Sequence, residues 1–565
     1  MKLHELADYL NRLESTSSRI EITKILSELF DHSTKNEIKI IVNMLLGRLA
    51  PSYENIVFNL ADKMVIRALA EAYDRPLVEI VSEYKKHGDL GTVAQLFAVP
   101  SDASVEIKIV FEKLRALAQD EGEGSQERKI SSLAELLRSL DPLSARYIAR
   151  IPVGKLRLGF SDKTVIDALS WMEVGDKSKS KVIESVYQVT PDIGMIAEIF
   201  KEYGSKNLYK HAAPRTGIPV MPMLAQRLKS PTEMIKKMGK VAIEPKFDGL
   251  RTLIHYKKGE TLKVFTRNLN EISAMFPELS VIGSQLTVDE VVLDCEAVGL
   301  DPDTAKMANF QTTMKRRRKH GIGKTSKKIP LRFQVFDVIL SGGINMMNEP
   351  YIKRREELAR VIKPGSLLVV DAYQITSDAS QIEHEHKKYL ELGLEGVIVK
   401  KVDSKYVPGR TGWRWVKMKE IESAQGKLAD TVDAVIMGYS SGKGKRAGFG
   451  VGQFLVGVRD KDLYKTISKV GTGLSDDEFR KLNKMLSAIG VKEKPKEYIV
   501  SKTLEPDFWV VPKVVVELAA DEITKSPNYS AGFSLRFPRL ARFREDKSAV
   551  QATTLKEIKN LYKIS

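Results

Sequence analysis

The sequence predicts a multidomain chain of three parts: an all-α N-terminal domain, a mixed-sheet α/β domain, and a C-terminal β-barrel. Three observations predict it. Up to about residue 210, apolar residues recur at three- and four-residue spacing, the period of an amphipathic helix. At His211-Ala-Ala-Pro-Arg-Thr-Gly-Ile-Pro219 the texture changes to a Pro/Gly-rich linker, after which short β-branched runs alternate with helical segments. From about Asp430 to Arg544 strands dominate. The length, 565 residues, suits three or four domains at about 150 residues each. The boundaries fall at 1–210, 216–420 and 421–565.

Helices are predicted over Ile20–Phe30, Glu37–Leu49, Lys63–Tyr73, Ser131–Leu140 and Lys163–Trp171, several preceded by Asp or Ser in capping positions. An internal repeat is suggested: Gly47-Arg48-Leu49 precedes Val65-Ile66-Arg67-Ala68-Leu69 as Gly154-Lys155-Leu156 precedes Val165-Ile166-Asp167-Ala168-Leu169. Chance similarity of amphipathic helices is the competing reading; a true repeat would present two basic loops to a two-fold partner such as a duplex backbone. In the middle part the strands are Leu253–Tyr256, Leu262–Thr266, Val291–Cys295, Phe333–Leu340 and Gly396–Lys400, with helices at Lys353–Val361 and Ile382–Leu392. In the last part they are Val432–Tyr439, Gln453–Arg459, Leu463–Val470 and Phe508–Leu518.

Composition narrows the class. Hydrophobic residues make up 43% and charged residues 29%, which excludes a disordered or fibrous chain. One cysteine, Cys295, excludes a disulfide framework or a Cys-built zinc site and fits a reducing, cytoplasmic setting. No apolar run approaches the roughly 18 residues of a membrane span. With 90 Lys plus Arg against 73 Asp plus Glu, the net charge of +17 points to a polyanionic partner.

The sharpest local motif is Glu244-Pro-Lys246-Phe-Asp248-Gly249-Leu-Arg251, a lysine at the end of an apolar strand followed by a tight turn. By itself it also fits a solvated surface turn. An ordered set follows it: Arg267, Glu296 at the end of Val291–Glu296, Phe336-Asp337, Glu395 before Gly396–Lys400, then Lys417 and Lys419. Charges of both signs at the ends of buried strands cost several kcal/mol unless they share a ligand. A nucleoside triphosphate with a divalent cation satisfies both signs.

On these motifs the chain resembles the ATP-dependent DNA ligases of the archaeal/eukaryotic replicative type, within the covalent nucleotidyltransferases. Further matches are Gly217-Ile-Pro-Val-Met-Pro-Met-Leu-Ala225, Ser441–Gly448, Lys469–Ser475, Ser534–Arg539, Arg544-Glu-Asp-Lys547 and Gln551–Thr554. The resemblance implies a helical DNA-binding domain, an adenylation domain and an OB-fold barrel, with ATP and Mg²⁺ as cofactors. It implies a nicked double-stranded DNA partner and a monomeric enzyme active in replication, repair and recombination. By position, Lys246 becomes adenylated, Glu244 reads the adenine edge, Arg251 and Arg267 lie near ribose and phosphate, and Phe336 stacks on the base. Glu296 and Glu395 hold Mg²⁺, Lys417 and Lys419 meet the α-phosphate, and Arg410 is a further ATP contact for which Arg414 competes. Arg544, Asp546 and Lys547 close over ATP from the barrel, across a joint near Glu420–Lys427. An RNA ligase or capping guanylyltransferase shares the lysine motif but lacks the long helical part, and a silent DNA-binding scaffold would not need every catalytic position filled.

Some features carry less. Gly323-Lys324-Thr325 fails as a phosphate-binding loop, because Arg318 stands where the first glycine belongs. The basic stretch Lys315–Lys328 is expected to be a solvated loop, with DNA phosphates as a secondary partner. Gly442–Gly452 is expected to be a basic hairpin. Gln95-Leu96-Phe97 packs at a helix end or is a remnant of a sliding-clamp tether, and His384 and His386 are expected to be solvated.

Overall fold

The computed structural model describes residues 1–100, 105–154, 156, 158–211, 213–228, 230–318, 321–409, 412–419, 431–441 and 449–564, which separate into two compact units, Met1–Met418 and Lys419–Ser565. The first unit begins with α1 (Leu3–Glu14), α2 (Arg19–His32), α3 (Lys35–Leu45), α4 (Asp62–Ala72), α5 (Leu77–His87) and α6 (Leu90–Phe97). It continues with α7 (Ile107–Gln119), α8 (Ser125–Arg138), α9 (Pro142–Arg150), α10 (Asp162–Val174), α11 (Ser180–Val189) and α12 (Ile193–Asn207). The caps are local: the Thr34 and Glu37 side chains reciprocate at α3, and the carboxylates of Asp89, Asp141 and Asp192 accept backbone N–H groups of α6, α9 and α12.

These twelve helices are two copies of a six-helix unit that exchange partners. α2 packs on α10 as α8 packs on α4; α3 packs on α12 as α9 packs on α6; α1 packs on α9 as α7 packs on α3. The pseudo-two-fold passes through an antiparallel bridge between Lys2 and Glu106, where Leu3 N–H donates to Val105 O (2.8 Å) and Ile107 N–H to Met1 O (3.3 Å). Gly47 (φ 66°) and Gly154 (φ 64°) both take positive φ after α3 and α9, and with the matched helix packing this makes the internal repeat real. That turn also ends α3 at Leu45, short of the expected Leu49.

The repeat is clearest in a pattern that sequence inspection passed over: Asp89-Leu-Gly91-Thr-Val-Ala-Gln-Leu-Phe97 against Asp192-Ile-Gly194-Met-Ile-Ala-Glu-Ile-Phe200. Each glycine lets a helix end approach. A Cβ on Gly91 would stand 2.4 Å from Arg146 O, and one on Gly194 would stand 3.2 Å from Lys39 O. Gln95-Leu96-Phe97 is thus the end of α6, with Gln95 accepting from Arg146 (3.2 Å) and Arg75 over the Phe97 ring, which fits the helix-end reading.

The same unit then carries two sheets. Their elements are β1 (Gln226–Arg227), α13 (Pro231–Met238), β2 (Val241–Pro245), β3 (Leu250–Lys257), β4 (Lys263–Thr266), β5 (Glu290–Gly299), α14 (Phe310–Met314), α15 (Ile322–Lys328), β6 (Leu331–Ser341) and β7 (Ile344–Asn345). α16 (Tyr351–Val361), β8 (Leu368–Val370), β9 (Gln374–Thr376), α17 (Ala379–Glu391), β10 (Gly396–Lys401) and β11 (Trp415–Lys419) complete it. One sheet runs β1-β11-β10-β2-β9; the other runs β4-β3-β5-β6-β7, with β8 parallel to β6. Both mix parallel and antiparallel pairs, as the sequence predicts.

Two expectations here need correction. The basic stretch is not simply a solvated loop: residues 322–328 form α15, and Arg316 is buried, paired with Glu278 (2.8 Å) and donating to Ile329 O and Met275 O. Its lysines and arginines look uniform in sequence, yet one guanidinium has backbone carbonyls to satisfy it. His386 is likewise not solvated but buried on α17, close beneath Gly396, where a Cβ would lie 3.1 Å from its Nε2. His384 is exposed.

The second unit holds β12 (Val432–Ser440), β13 (Gln453–Asp460), β14 (Leu463–Val470), α18 (Asp476–Ser487), β15 (Gly490–Val491), β16 (Tyr498–Ile499), β17 (Phe508–Val510), β18 (Val515–Ala519), β19 (Glu522–Lys525), β20 (Phe533–Arg536), β21 (Arg539–Phe543) and α19 (Leu555–Ile564). Eight of these strands form one curled sheet, with β12 pairing β13 along one edge and β17 then β18 along the other. The single strand expected over Phe508–Leu518 is therefore two: Pro512 lies between them, and proline cannot donate to a ladder. The joint near Glu420–Lys427, Lys155 of the repeat and the Gly-rich stretch 442–448 lie outside the described residues.

Candidate active site

The two sheets of the first unit meet at a cleft of about 570 Å³. Lys246 stands at its floor, directly after β2. Its backbone is stitched to β10, with Lys246 N–H donating to Gly396 O (2.9 Å) and Glu395 N–H to Lys246 O (3.0 Å). That register sets the Glu395 carboxylate against Lys246 Nζ as an ion pair. The glycine of the motif is dictated by approach: a Cβ on Gly249 would fall 2.4 Å from Ala297 O on β5. Gly396, at φ 131°, is needed for the same reason, its Cβ clashing with Met418 O at 2.3 Å.

β3 then carries Arg251 onto the cleft wall. Its guanidinium grips Asp294 of β5 through two bonds (2.9 and 2.6 Å) and donates to Met223 O (2.7 Å), while Tyr406 also donates to Asp294 (2.8 Å). This bidentate pair holds the Arg251 pKa above its ordinary value despite burial. Glu296, opposite Arg251 in the β3–β5 ladder, also lines the cleft. Burial pushes its carboxyl up to about 7, and the cations of Lys246 and Arg251 only partly offset this.

Phe336 owes its place to a β-bulge. Asp294 faces Asp337 and Cys295 faces Val335, so Phe336 is the extra residue of β6, and its ring turns toward the cleft. Behind it Lys400, fully buried, pairs with Glu244 (2.6 Å), donates to Phe336 O (3.0 Å) and lies over the Phe336 and Trp415 rings at 4.8 and 4.3 Å. Glu244 also accepts from the Tyr351 hydroxyl and lies 3.5 Å from Arg355.

The cleft thus brings together Glu244, Lys246, Arg251, Arg267, Glu296, Phe336 and Lys417. Glu395 reaches it through Lys246, and Lys419 is two residues beyond Lys417 on β11, hence on the same face. Arg410 lies outside the described residues; Arg414 gives its carbonyl to Lys401 N–H (2.9 Å). Arg544, Asp546 and Lys547 belong to the other unit. There Asp433 of β12 binds Arg544 (3.0 Å) and Lys547 (2.6 Å), and Arg544 also binds Asp546 (2.8 Å).

Sequence reasoning missed Lys400, Trp415, Asp371, Arg317 and Phe310 in the cleft wall, and Asp433 in the second unit. Lys400 and Trp415 had a signal, since both sit inside motifs already read. Asp371 had none.

Family models match along the chain: the DNA ligase N terminus over residues 2–170, the ATP dependent DNA ligase domain over 222–419, and the ATP dependent DNA ligase C terminal region over 447–547. A "Probable DNA ligase" of Dictyoglomus thermophilum is 40% identical over 574 residues, covering 100% of this chain and 98% of its own. The chain belongs to the ATP-dependent DNA ligase family. DNA ligases of Pyrobaculum islandicum and Sulfolobus acidocaldarius are each 36% identical, covering 100% of this chain and 98% of theirs. The solved structure named Pmar-Lig_PreS3 has the same fold, with a TM-score of 0.54 and 20% identity over 95% of this chain and 99% of its own. This ligase therefore uses ATP, and nick sealing is the activity of its family. Mg²⁺ is the family's metal. The donors fit it: Mg²⁺ takes one or two carboxylates and fills its remaining positions with water and phosphate, and Glu296 and Glu395 both flank Lys246. No described helix is long and apolar enough to cross a membrane.

Proposed function

We propose that Lys246 is the residue this ligase adenylates, and that the cleft around it performs all three transfers on nicked duplex DNA. The observation that carries this is the convergence on one lysine of a paired carboxylate, a clamped arginine, a bulge-mounted aromatic ring and the Lys417 strand. The Lys246 amine forms a bond to the α-phosphorus of ATP while the bond to the β-phosphate oxygen breaks and pyrophosphate leaves. Glu395 is in place to receive the amine's proton. Lys417 and Lys419 meet the charge that develops on the α-phosphate, and a bound divalent ion adds charge neutralisation through Glu296 and Glu395. Phe336 offers its face to the base. Lys400, held by Glu244, fixes that ring from behind. The 5′-phosphate at a nick next attacks the adenylyl phosphorus and frees Lys246. The 3′-hydroxyl then attacks the 5′-phosphorus, forming the phosphodiester and expelling AMP.

The helical repeat is the DNA-binding domain in this reading, and residues 216–420 and 421–565 are the adenylation and OB-fold domains. Its two matching loops after α3 and α9 suit the two-fold backbone of a duplex, and Arg544 and Lys547 serve ATP from the OB-fold domain. One chain holds every group the three steps require, which supports a monomer, and its single buried free cysteine supports a cytoplasmic setting. The test is incubation with α-labelled ATP. A label that survives denaturation in wild type and is absent in Lys246→Ala is expected; a labelled Lys246→Ala chain overturns the assignment. Binding to nicked duplex should weaken steeply with salt, as phosphate contacts release counterions.

A further inference from the structure

The two halves of the helical repeat differ in the length of one loop. Val65 stands eighteen positions after Gly47, whereas Val165 stands eleven after Gly154, so the first loop is seven residues longer. An idle insertion would lie solvated on the surface. This one is built as an arm. Pro51 leads into the single turn Ser52–Glu54, and Asn55 then takes φ 52°, a left-handed conformation that asparagine tolerates. Both ends of the arm are pinned to the helical part. Arg48 pairs with Asp162 (2.6 Å), and Phe58 O accepts from the buried Lys129 (3.0 Å).

The tip of the arm leaves the helical interior. Tyr53 is 8% exposed, yet it is not a member of the core that α1 to α12 share. It belongs to the cluster of Val220, Met223, Leu253, Phe265 and Leu269, all in the part that carries Lys246. Val189, also from the helical part, reaches this cluster but is only partly buried. Two hydrogen bonds flank the ring: the Asn55 side chain donates to Glu271 O (2.8 Å), and Met221 N–H donates to Gln188 O (2.8 Å). Beside them the two parts stand apart. A cavity of about 1160 Å³ separates Tyr53, Ile56 and Arg115 from Lys263, Glu271 and Phe276. A buried aromatic ring at the edge of such a gap is an anchor rather than one contact of a broad interface.

We propose that the arm is a brace: Tyr53 seats the helical part on the adenylation domain before DNA arrives, so a duplex gripped by the one meets Lys246 of the other at a set distance. The inference rests on the reading of the helical repeat as the DNA-binding domain. Tyr53 touches no reacting atom and acts as a positioning residue. Seating it in advance removes an ordering cost from DNA binding, and the saving appears in affinity for the nick. The matched portions of the two loops stay available to the duplex; only the extra length is spent on the neighbouring domain. Because the arm is pinned at both ends, Tyr53 cannot swing out alone. Its withdrawal would move the whole helical part, which suits a permanent brace better than a latch opened in every turnover.

The experiment uses the full chain with spin labels on Ser17→Cys and Lys387→Cys, both exposed positions; Cys295 is buried and stays unlabelled. Wild type should give one narrow distance, the same with and without nicked duplex. Tyr53→Ala should broaden it in the DNA-free chain and raise the KM of the pre-adenylated enzyme for nicked duplex about tenfold or more. Tyr53→Phe, which keeps the ring, should restore both. Asn55→Ala, a milder change, should raise that KM about threefold. Adduct formation with ATP shows that each variant retains a folded cleft. A broad or DNA-shifted distance in wild type overturns the proposal without any variant. So does a narrow distance retained in Tyr53→Ala, or tighter nick binding by that variant, which would mark a latch. A broadened distance with an unchanged KM shows that the helical part does not hold the nick, and overturns that reading together with this inference.

Discussion

Arg150 in the helical repeat and Arg251 in the cleft are both buried guanidiniums gripped by carboxylates, and they differ in what surrounds the grip. Arg150 donates from Nε and Nη2 to Asp89 and from Nη1 and Nη2 to Glu14, so each of its nitrogens has a carboxylate partner. Arg150 is thus fully matched, although Arg146, which shares Glu14, keeps a buried Nε without a partner. Arg251 is held as firmly by Asp294, but the Trp415 ring beneath it has an Nε1 without a partner. Arg150 is saturated by carboxylates, whereas Arg251 stands on a cleft wall whose Trp415 Nε1 the protein leaves unmet. The other half of the repeat sharpens the point. There Asn43 stands near Gly194 where Arg150 stands near Gly91, and Asp192, which caps α12, has no guanidinium partner among the described residues.

The largest break in this comparison is Arg150→Ala, which takes the guanidinium from buried Asp89 and leaves Glu14 to Arg146 and Tyr147. It should cost about 3 to 5 kcal/mol in denaturant unfolding of the helical part. A loss below about 1 kcal/mol would show that Arg150 is not so matched. Lys417→Ala should do the opposite, lowering adduct formation about 10²- to 10³-fold with little change in melting temperature. A matched fall in stability would place Lys417 among the structural charges.

Glu296→Gln tests the cost of an open charge. The folded carboxyl titrates at about 7 against an ordinary 4.5, so the folded state holds the proton more tightly than the unfolded one. Its contribution to stability is complete below 4.5 and is lost as pH rises through 7. The variant should therefore gain on wild type between pH 5 and pH 8, by on the order of 2 kcal/mol, while adduct formation falls. Melting curves at the two pH values decide it, and a pH-independent difference refutes it. The smallest effect is Asp192→Ala, a lost cap worth about 1 kcal/mol, against a larger loss for Asp89→Ala, which also removes one of the two carboxylates that hold Arg150.

Much of this was legible in advance where the physics is local. Helical period, turn residues and β-branched runs marked the three parts, and the order of charged strand ends located Lys246 and its neighbours. What escaped depends on which way a polar side chain turns, and periodicity is silent on that. His386 and Arg316 look solvated in sequence and are buried. Asp371 is an unremarkable acid until the end of a short parallel strand brings it to the cleft. The bulge at Phe336 and the division of Phe508–Leu518 into two strands are properties of pairing between segments distant in the chain.

The exchange of partners through the Lys2–Glu106 bridge gives the helical part the anatomy of an intertwined dimer fused into one polypeptide. Neither six-helix half owns a complete interior, because the surfaces each would bury alone are supplied by the other. Such a module has no folded half to fall back on and should melt as one cooperative block. Unlike a two-chain dimer, its halves cannot be separated by dilution, so the paired loops keep their spacing at any protein concentration.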